Sequence, residues 1–451
     1  MKTHQIKFAV IVFFVLLAAH GSSIPYFVTR AIAIQPPAAP CIRGTFRSSR
    51  DPIPPNWPGP VFELSQSYPD SLPAAEEYPW KGINFEKNPM AYMMAVRRYV
   101  YEGNVDAGNP NKPWVVQKNP RPWYHAPWLD AGQNRREFIH GLTRELPSVP
   151  GQLWDNPPQK SDIQNWAVGF YNTLGGYVIG QVWCDPQKPS LSPVLFPEGT
   201  VSAKLLFSAA PLSEVPFLWG AVQWTANINE KPLDTNSPRK PTIVRLLQID
   251  IAVRDDDNKL TGWNFGTFIY NPDGGSKNPW ENMQPVGFMW GNDPDVTPTN
   301  GKPIKQSWLN PKVAHLMRHY GWARRLNGPV DNPLSSCLSC HSTAGWPRAS
   351  LAPPTGATNT ERLKWFRNIP AGGAFESNQV SHDYSLQLTS GIRQFNDEHP
   401  GGLTPQLLHL RALKTTPKPG PEVNRAGKSE AEFRRETIRE MRRIRRSRVR
   451  R

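Results

Sequence analysis

The sequence predicts an α+β fold that is mainly β, with a central antiparallel sheet or sandwich followed by a helical and irregular segment. Alternation of period two dominates residues 165–290. In TVSAKLLFS, Val201, Ala203, Leu205 and Phe207 share one face, and Ser202, Lys204 and Ser208 the other; in RLLQIDIAVR, Leu247, Ile249, Ile251 and Val253 alternate with Gln248 and Asp250. Helical spacing is confined to short stretches, two of them opened by Asn-Pro. The 49 Pro and 33 Gly, set beside 17 Trp and 19 Phe, describe long irregular loops over an aromatic core rather than a disordered polymer. With 451 residues the chain can bury a sizeable interior.

Residues 1–22 read as a secretory signal peptide, because Lys2 and Lys7 precede an apolar run from Phe8 to Ala19 and small residues follow. That run is shorter than the roughly 20 residues of a spanning helix; cleavage near Ala19–Gly21 is the first reading and an uncleaved N-terminal anchor the alternative. Either sends the chain to the periplasm or another extracytoplasmic space.

Residues 23–130 form a Pro-rich region, including DPIPPNWPGP, in which Asn88-Pro89 opens a short helix with Met90, Met93, Met94 and Val100 as core filler. Residues 131–300 form the β-rich domain, where GYVIGQVW and GWNFGTFIY read as further strands and DDDNKLTG as a hairpin turn. Asp255, Asp256 and Asp257 lack the Gly and distal Glu of a helix-loop-helix calcium loop, which leaves a solvated hairpin tip. In residues 301–420, Asn310-Pro311 opens a helix with Val313, Leu316, Met317 and Tyr320 on one side, and Asn327-Gly328-Pro329 closes that segment. Further short helices are expected at 384–395 and 403–413.

The formal net charge is +15, but residues 421–451 alone hold 12 Lys or Arg against 5 Glu. Phe433, Thr437, Met441 and Ile444 recur there at helical spacing, so this basic tail is either an amphipathic helix for an anionic membrane surface or a solvated tail. No nucleic-acid reader motif accompanies the charge, and nucleic acid is not an expected partner.

Chemistry concentrates in NPLSSCLSCHSTAGWP, which holds two of the four cysteines. Cys337, Cys340 and His341 have the spacing of covalent c-type haem attachment: two thiols add across the vinyl groups and the adjacent imidazole becomes the proximal iron ligand. A zinc site needs a second ligand pair, and Cys41 and Cys184 are isolated. A thioredoxin-like pair belongs in a strand-helix-strand unit, whereas Pro333 and Pro347 flank this motif. Cys41 and Cys184 remain either a disulfide of an oxidising compartment or two unpaired buried thiols.

On CLSCH the chain resembles the c-type cytochromes. It departs from the small helical carriers in that Met441 is the only methionine after His341. In the order FPEGTVSAKLLF, GWNFGTFIY, CLSCH it is similar to the β-sheet mono-haem cytochromes of the c-prime-beta group and the related hydroxylamine-oxidising cytochromes. That resemblance implies one covalent haem c, and a five-coordinate iron open to small ligands; some members crosslink a lysine to the porphyrin, a role assigned to no lysine here.

For the sixth iron position the candidates are His315, His319, Met317, Met283, Met289, His382, His399 and His409. His315 and His319 stand at i and i+4 on the predicted helix, where they could serve the iron, bind a separate metal or be partly exposed. Arg324 and Arg325 are candidates for the propionates, with surface exposure as the alternative. Electron transfer with a redox partner protein is the expected function. A haem enzyme or gas-binding protein with an open distal site is the alternative, and a binding protein whose cysteines form a disulfide is the third class.

Overall fold

The computed structural model describes Cys41, Phe46 and residues 55–58, 64–74, 76–105, 121–129, 131–132, 135–136, 142–232, 234, 237–400 and 403. The signal segment, all of the helix expected at 403–413 but Leu403, His409 and the basic tail lie outside them. Every described residue belongs to the compact unit Cys41–Arg451. No helix among the described residues is long and apolar enough to cross a membrane.

In chain order the elements are α1 (Pro89–Tyr101), β1 (Ala131–Gly132), β2 (Arg135–Arg136), β3 (Leu142–Arg144), β4 (Asn165–Tyr171), α2 (Thr173–Val182), β5 (Val201–Ser208), β6 (Gln223–Asn229), β7 (Arg239–Arg254), β8 (Trp263–Tyr270), β9 (Met283–Met289) and β10 (Ser307–Leu309). There follow α3 (Cys337–His341), β11 (Gly345–Trp346), α4 (Asn359–Arg362), β12 (Val380–Ser381) and α5 (Leu386–Glu398). Eight strands form one antiparallel sheet in the order β10-β9-β8-β7-β5-β4-β3, with β6 on the first half of the long β7. The fold is therefore α+β and mainly β, built on one large sheet with two-stranded pairs β1-β2 and β11-β12 beside it in the chain.

Register lines up side chains across four strands. Phe170, Ala203, Ile251 and Gly266 are successive partners on one face. There α1 packs close: a Cβ on Gly266 would lie 2.9 Å from the Met93 Cε. This helix begins at Asn88-Pro89 as the sequence predicts, and buries Tyr92, Met93, Val96, Tyr99 and Val100. The opposite face is covered by the segment that carries α3 and α5. Residues on both sides of position 300 share one core, which includes Leu205, Ile249, Leu338 and Tyr384.

GYVIGQVW is not a strand but most of α2. Asn172 caps this helix, its side chain accepting from the Gly175 N–H at 3.3 Å. The glycines that interrupt its apolar pattern admit aromatic rings: a Cβ on Gly176 would lie 2.5 Å from Tyr124, and one on Gly180 2.5 Å from Tyr68. Ala is a better helix former than Gly by about 1 kcal/mol, but overpacking a close contact costs about 1–3 kcal/mol. Gly176→Ala is therefore expected to lower stability, read as a reduced urea midpoint; a raised midpoint would refute this packing.

Candidate functional site

Five residues, Cys337 to His341, make up α3. Ser336 caps it reciprocally with Ser339: the Ser339 N–H donates to the Ser336 Oγ at 3.1 Å, and the Ser336 N–H to the Ser339 Oγ at 2.8 Å. Leu338 and Ser339 are turned into the protein and fully buried. Cys337, Cys340 and His341, at helical positions i, i+3 and i+4, line a cavity of about 320 Å³, in the range of about 300–1,000 Å³ typical of small-molecule sites.

The cavity floor is the second face of the sheet. Gly169, Lys204, Asp250 and Thr267 form one cross-strand row, and Tyr171, Ser202, Ala252 and Phe265 the next; all eight line the cavity. Alternation sends Lys204 and Asp250 to solvent, whereas in the structure they are half-buried and face the cavity that α3 and α5 also line. Gln387 of α5 lies so close that a Cβ on Gly169 would be 2.2 Å from its amide nitrogen.

Lys204 Nζ lies 3.1 Å from Asp250 Oδ2 and 3.9 Å from Glu145 Oε1. Asp250 also accepts from Thr267 Oγ1 at 2.9 Å and from Gln248 Nε2 at 2.8 Å. Asp331 accepts from the Gly328 N–H at 2.8 Å and lines the same cavity. Burial disfavours the Lys204 ammonium, but Glu145, Asp250 and Asp331 outweigh it and hold its pKa well above the ordinary value. Burial pushes the Asp331 carboxyl up to about 6, against the pull of Lys204 and with the repulsion of Asp250 and Glu145.

His341 Nδ1 is 2.9 Å from the Tyr384 carbonyl oxygen, so this nitrogen carries the proton and donates, leaving the lone pair on Nε2. Its ring packs on Phe265 at 4.8 Å, and burial lowers its pKa to about 4. Cys337 and Cys340 are free thiols, and burial raises both, Cys340 to about 12. An activated redox pair requires the opposite shift. Among the described residues no group of three or more His, Cys, Asp or Glu is arranged to hold a metal ion.

The expected distal pair does not reach the cavity. Asn310 accepts from the Lys312 N–H at 3.1 Å and starts a 3₁₀ turn, Pro311–Leu316, instead of an α-helix. With about three residues per turn, i and i+4 do not share a face; His315 is exposed, and His319 lies past the turn with Nε2 3.0 Å from the Pro329 oxygen. Met317, Met283 and Met289 are buried in the core. His382 is buried with Nδ1 3.0 Å from Thr389 Oγ1, and His399 stacks on Phe395. None of these lines the cavity.

Arg324 is exposed, and Arg325 is a fully buried clamp, not a cavity residue. Its guanidinium donates to the carbonyls of Asn292, Asp293, Val296 and Trp322 and stacks on Phe366. Arg144, Arg348 and Arg393 line the cavity instead. Cys41 and Cys184 form a disulfide. No protein-family model, curated protein or solved structure matches the chain.

Because the folded state binds the Asp331 proton more tightly than the unfolded chain, stability falls as pH rises from the ordinary 3.8 through about 6, and the penalty is complete above that. Asp331→Asn is expected to raise stability at pH 7, with the gain vanishing below about pH 4. Urea titrations of both proteins between pH 4 and 8 measure this, and a gain independent of pH would contradict it.

Proposed function

We propose that the chain is an extracytoplasmic haem c protein whose iron keeps a position open to small ligands. The observation that carries this reading is the convergence of Cys337, Cys340 and His341 on one cavity whose wall, among the described residues, holds no methionine and no second histidine. The donor set fits haem. Two thiols stand beside an imidazole whose Nδ1–H is anchored on a backbone carbonyl, the usual second partner of a metal-bound histidine. Arg348 and Arg393 line the cavity and have the chemistry to pair with the two propionates, whereas the Arg144 guanidinium is tied to Asn229 Oδ1 and the Pro232 carbonyl.

Bound there, haem supplies one-electron chemistry and an iron coordination position. The chain's own part is to hold and tune. Cys337 and Cys340 anchor the ring, His341 offers the Nε2 lone pair, and Tyr384 fixes the imidazole. Lys204 is kept as an ammonium by its carboxylates and so has no lone pair for a metal. It presents a donor to whatever small polar molecule occupies the cavity, with Asp331 beside it as a group that gains and loses a proton near neutral pH. A polar, hydrogen-bonding pocket favours ligand binding over simple electron transfer. The Cys41–Cys184 disulfide and the N-terminal segment support export.

Full-length protein from a host with haem-maturation machinery is expected to carry one covalent haem by intact mass and a c-type pyridine haemochrome spectrum. Cys337→Ser and Cys340→Ser should each retain one thioether, and the double variant none. Absence of an added tetrapyrrole in wild type, or a bond between the two sulfurs, sinks the proposal.

Stoichiometric carbon monoxide binding to the reduced protein is expected from the open position. Low-spin, unreactive iron would instead favour an electron carrier.

A further inference from the structure

The chain between β12 and α5 turns through Asp383 and Tyr384 in consecutive left-handed conformations, φ 46° and 66°. Aspartate is tolerated there, but tyrosine rarely adopts it. Both residues are buried, so water does not satisfy the turn's polar groups. The turn also supplies the Tyr384 carbonyl that accepts from His341 Nδ1.

We propose that Asp383 is the positioning residue for His341: its carboxylate gathers three N–H donors from distant parts of the chain and thereby holds the Tyr384 carbonyl against the imidazole. Asp383 Oδ2 accepts from the Phe196 N–H at 2.7 Å, just before β5. Its Oδ1 accepts from the Trp263 indole N–H of β8 at 3.0 Å and from the Gly372 N–H at 2.8 Å. Trp263 belongs to β8 of the sheet that floors the cavity, and Phe196 and Gly372 to two loops, so one side chain ties the His341 support to the floor. Neighbouring bonds brace the same turn: the Asp383 N–H donates to Ser381 Oγ at 3.1 Å, and Tyr384 Oη donates to the Ile369 carbonyl. Asp383 has no contact of its own with His341, so its influence passes through one peptide. Without the three bonds the left-handed pair can relax, and the carbonyl turns away from Nδ1.

The inference concerns the imidazole itself and rests on the haem reading only for its second readout. The first uses full-length protein without haem and ¹⁵N-histidine NMR. Wild type is expected to show His341 as the Nδ1–H tautomer alone. Asp383→Asn keeps the volume and the tolerance for left-handed backbone, but sets an amide NH₂ against an N–H donor, so the Nε2–H tautomer should become populated. In the second readout, matured Asp383→Asn should keep the wild-type mass with haem attached but show a more positive midpoint potential, since the Nδ1–H bond raises ligand basicity and favours the oxidised iron.

A folded Asp383→Asn with the wild-type tautomer overturns the inference. Should that variant not fold, Trp263→Phe, which removes one donor and keeps a ring, decides: a second tautomer supports the inference and an unchanged spectrum overturns it. Wild type that matures without haem refutes the proposed function and leaves the tautomer measurement intact as the test of this one.

Discussion

The structure depends on half-burying the polar face of a sheet. Lys204 and Asp250 are direct cross-strand partners between Gly169 and Thr267, and all four lie beneath the segment that carries α3 and α5. A buried charge without a partner is prohibitively unfavourable, and a pair is tolerated only when its remaining hydrogen-bonding capacity is used. Here the partners are local. Asp250 takes Lys204, Thr267 and Gln248, while Glu145 and Asp331 share the lysine's positive charge. The covering segment can therefore close over the row without collapsing onto it, and the space left over is the cavity.

The two faces of the same strands are thus specialised by one register. Ala203, Ile251 and Gly266 share the far side, where Gly266 lets Met93 of α1 sit against the backbone. On the near side Gly169 does the same for Gln387. Paired strands are rigid supports, so side chains on the floor are placed more firmly than loop residues would be. The covering segment has no such ladder. It is fixed instead by buried polar anchors: the Arg325 guanidinium on four carbonyls, the Ser336–Ser339 cap, and the bonds gathered by Asp383.

Strand identity was legible because alternation is a local property. β5, β7 and β8 lie where TVSAKLLFS, RLLQIDIAVR and GWNFGTFIY place them. What alternation cannot say is what covers the polar side. Lys204, Asp250, Glu145 and Asp331 are far apart in sequence, and their meeting follows from strand order and register, neither of which a single strand encodes. The one signal was compositional: Gly169, Ser202, Ala252 and Thr267 are all small, which suits a face that must leave room, but they align only once the register is known. α2 was misread because its glycines imitate strand punctuation, while their purpose is to admit Tyr124 and Tyr68. His315 and His319 failed for a related reason. An i, i+4 spacing brings side chains together only on an α-helix, and Asn310 begins a tighter turn. Cys337, Cys340 and His341 converge because five consecutive residues with their own cap set that spacing locally.

Lys204 and His341 both line the cavity, and their surroundings drive their protonation apart. Desolvation acts on both in the same sense, favouring the neutral form. At Lys204 three carboxylates overcome it, and the group stays charged; at His341 the near neighbours are Phe265 and a backbone carbonyl, and burial prevails. An ammonium can donate hydrogen bonds but cannot bind a metal, whereas a neutral imidazole with its Nδ1–H engaged can bind one through Nε2 alone. The surroundings therefore keep Lys204 charged and His341 neutral in one cavity. Exchanging the carboxylates for neutral groups would weaken that division, since nothing else in the cavity floor holds the charge on the lysine.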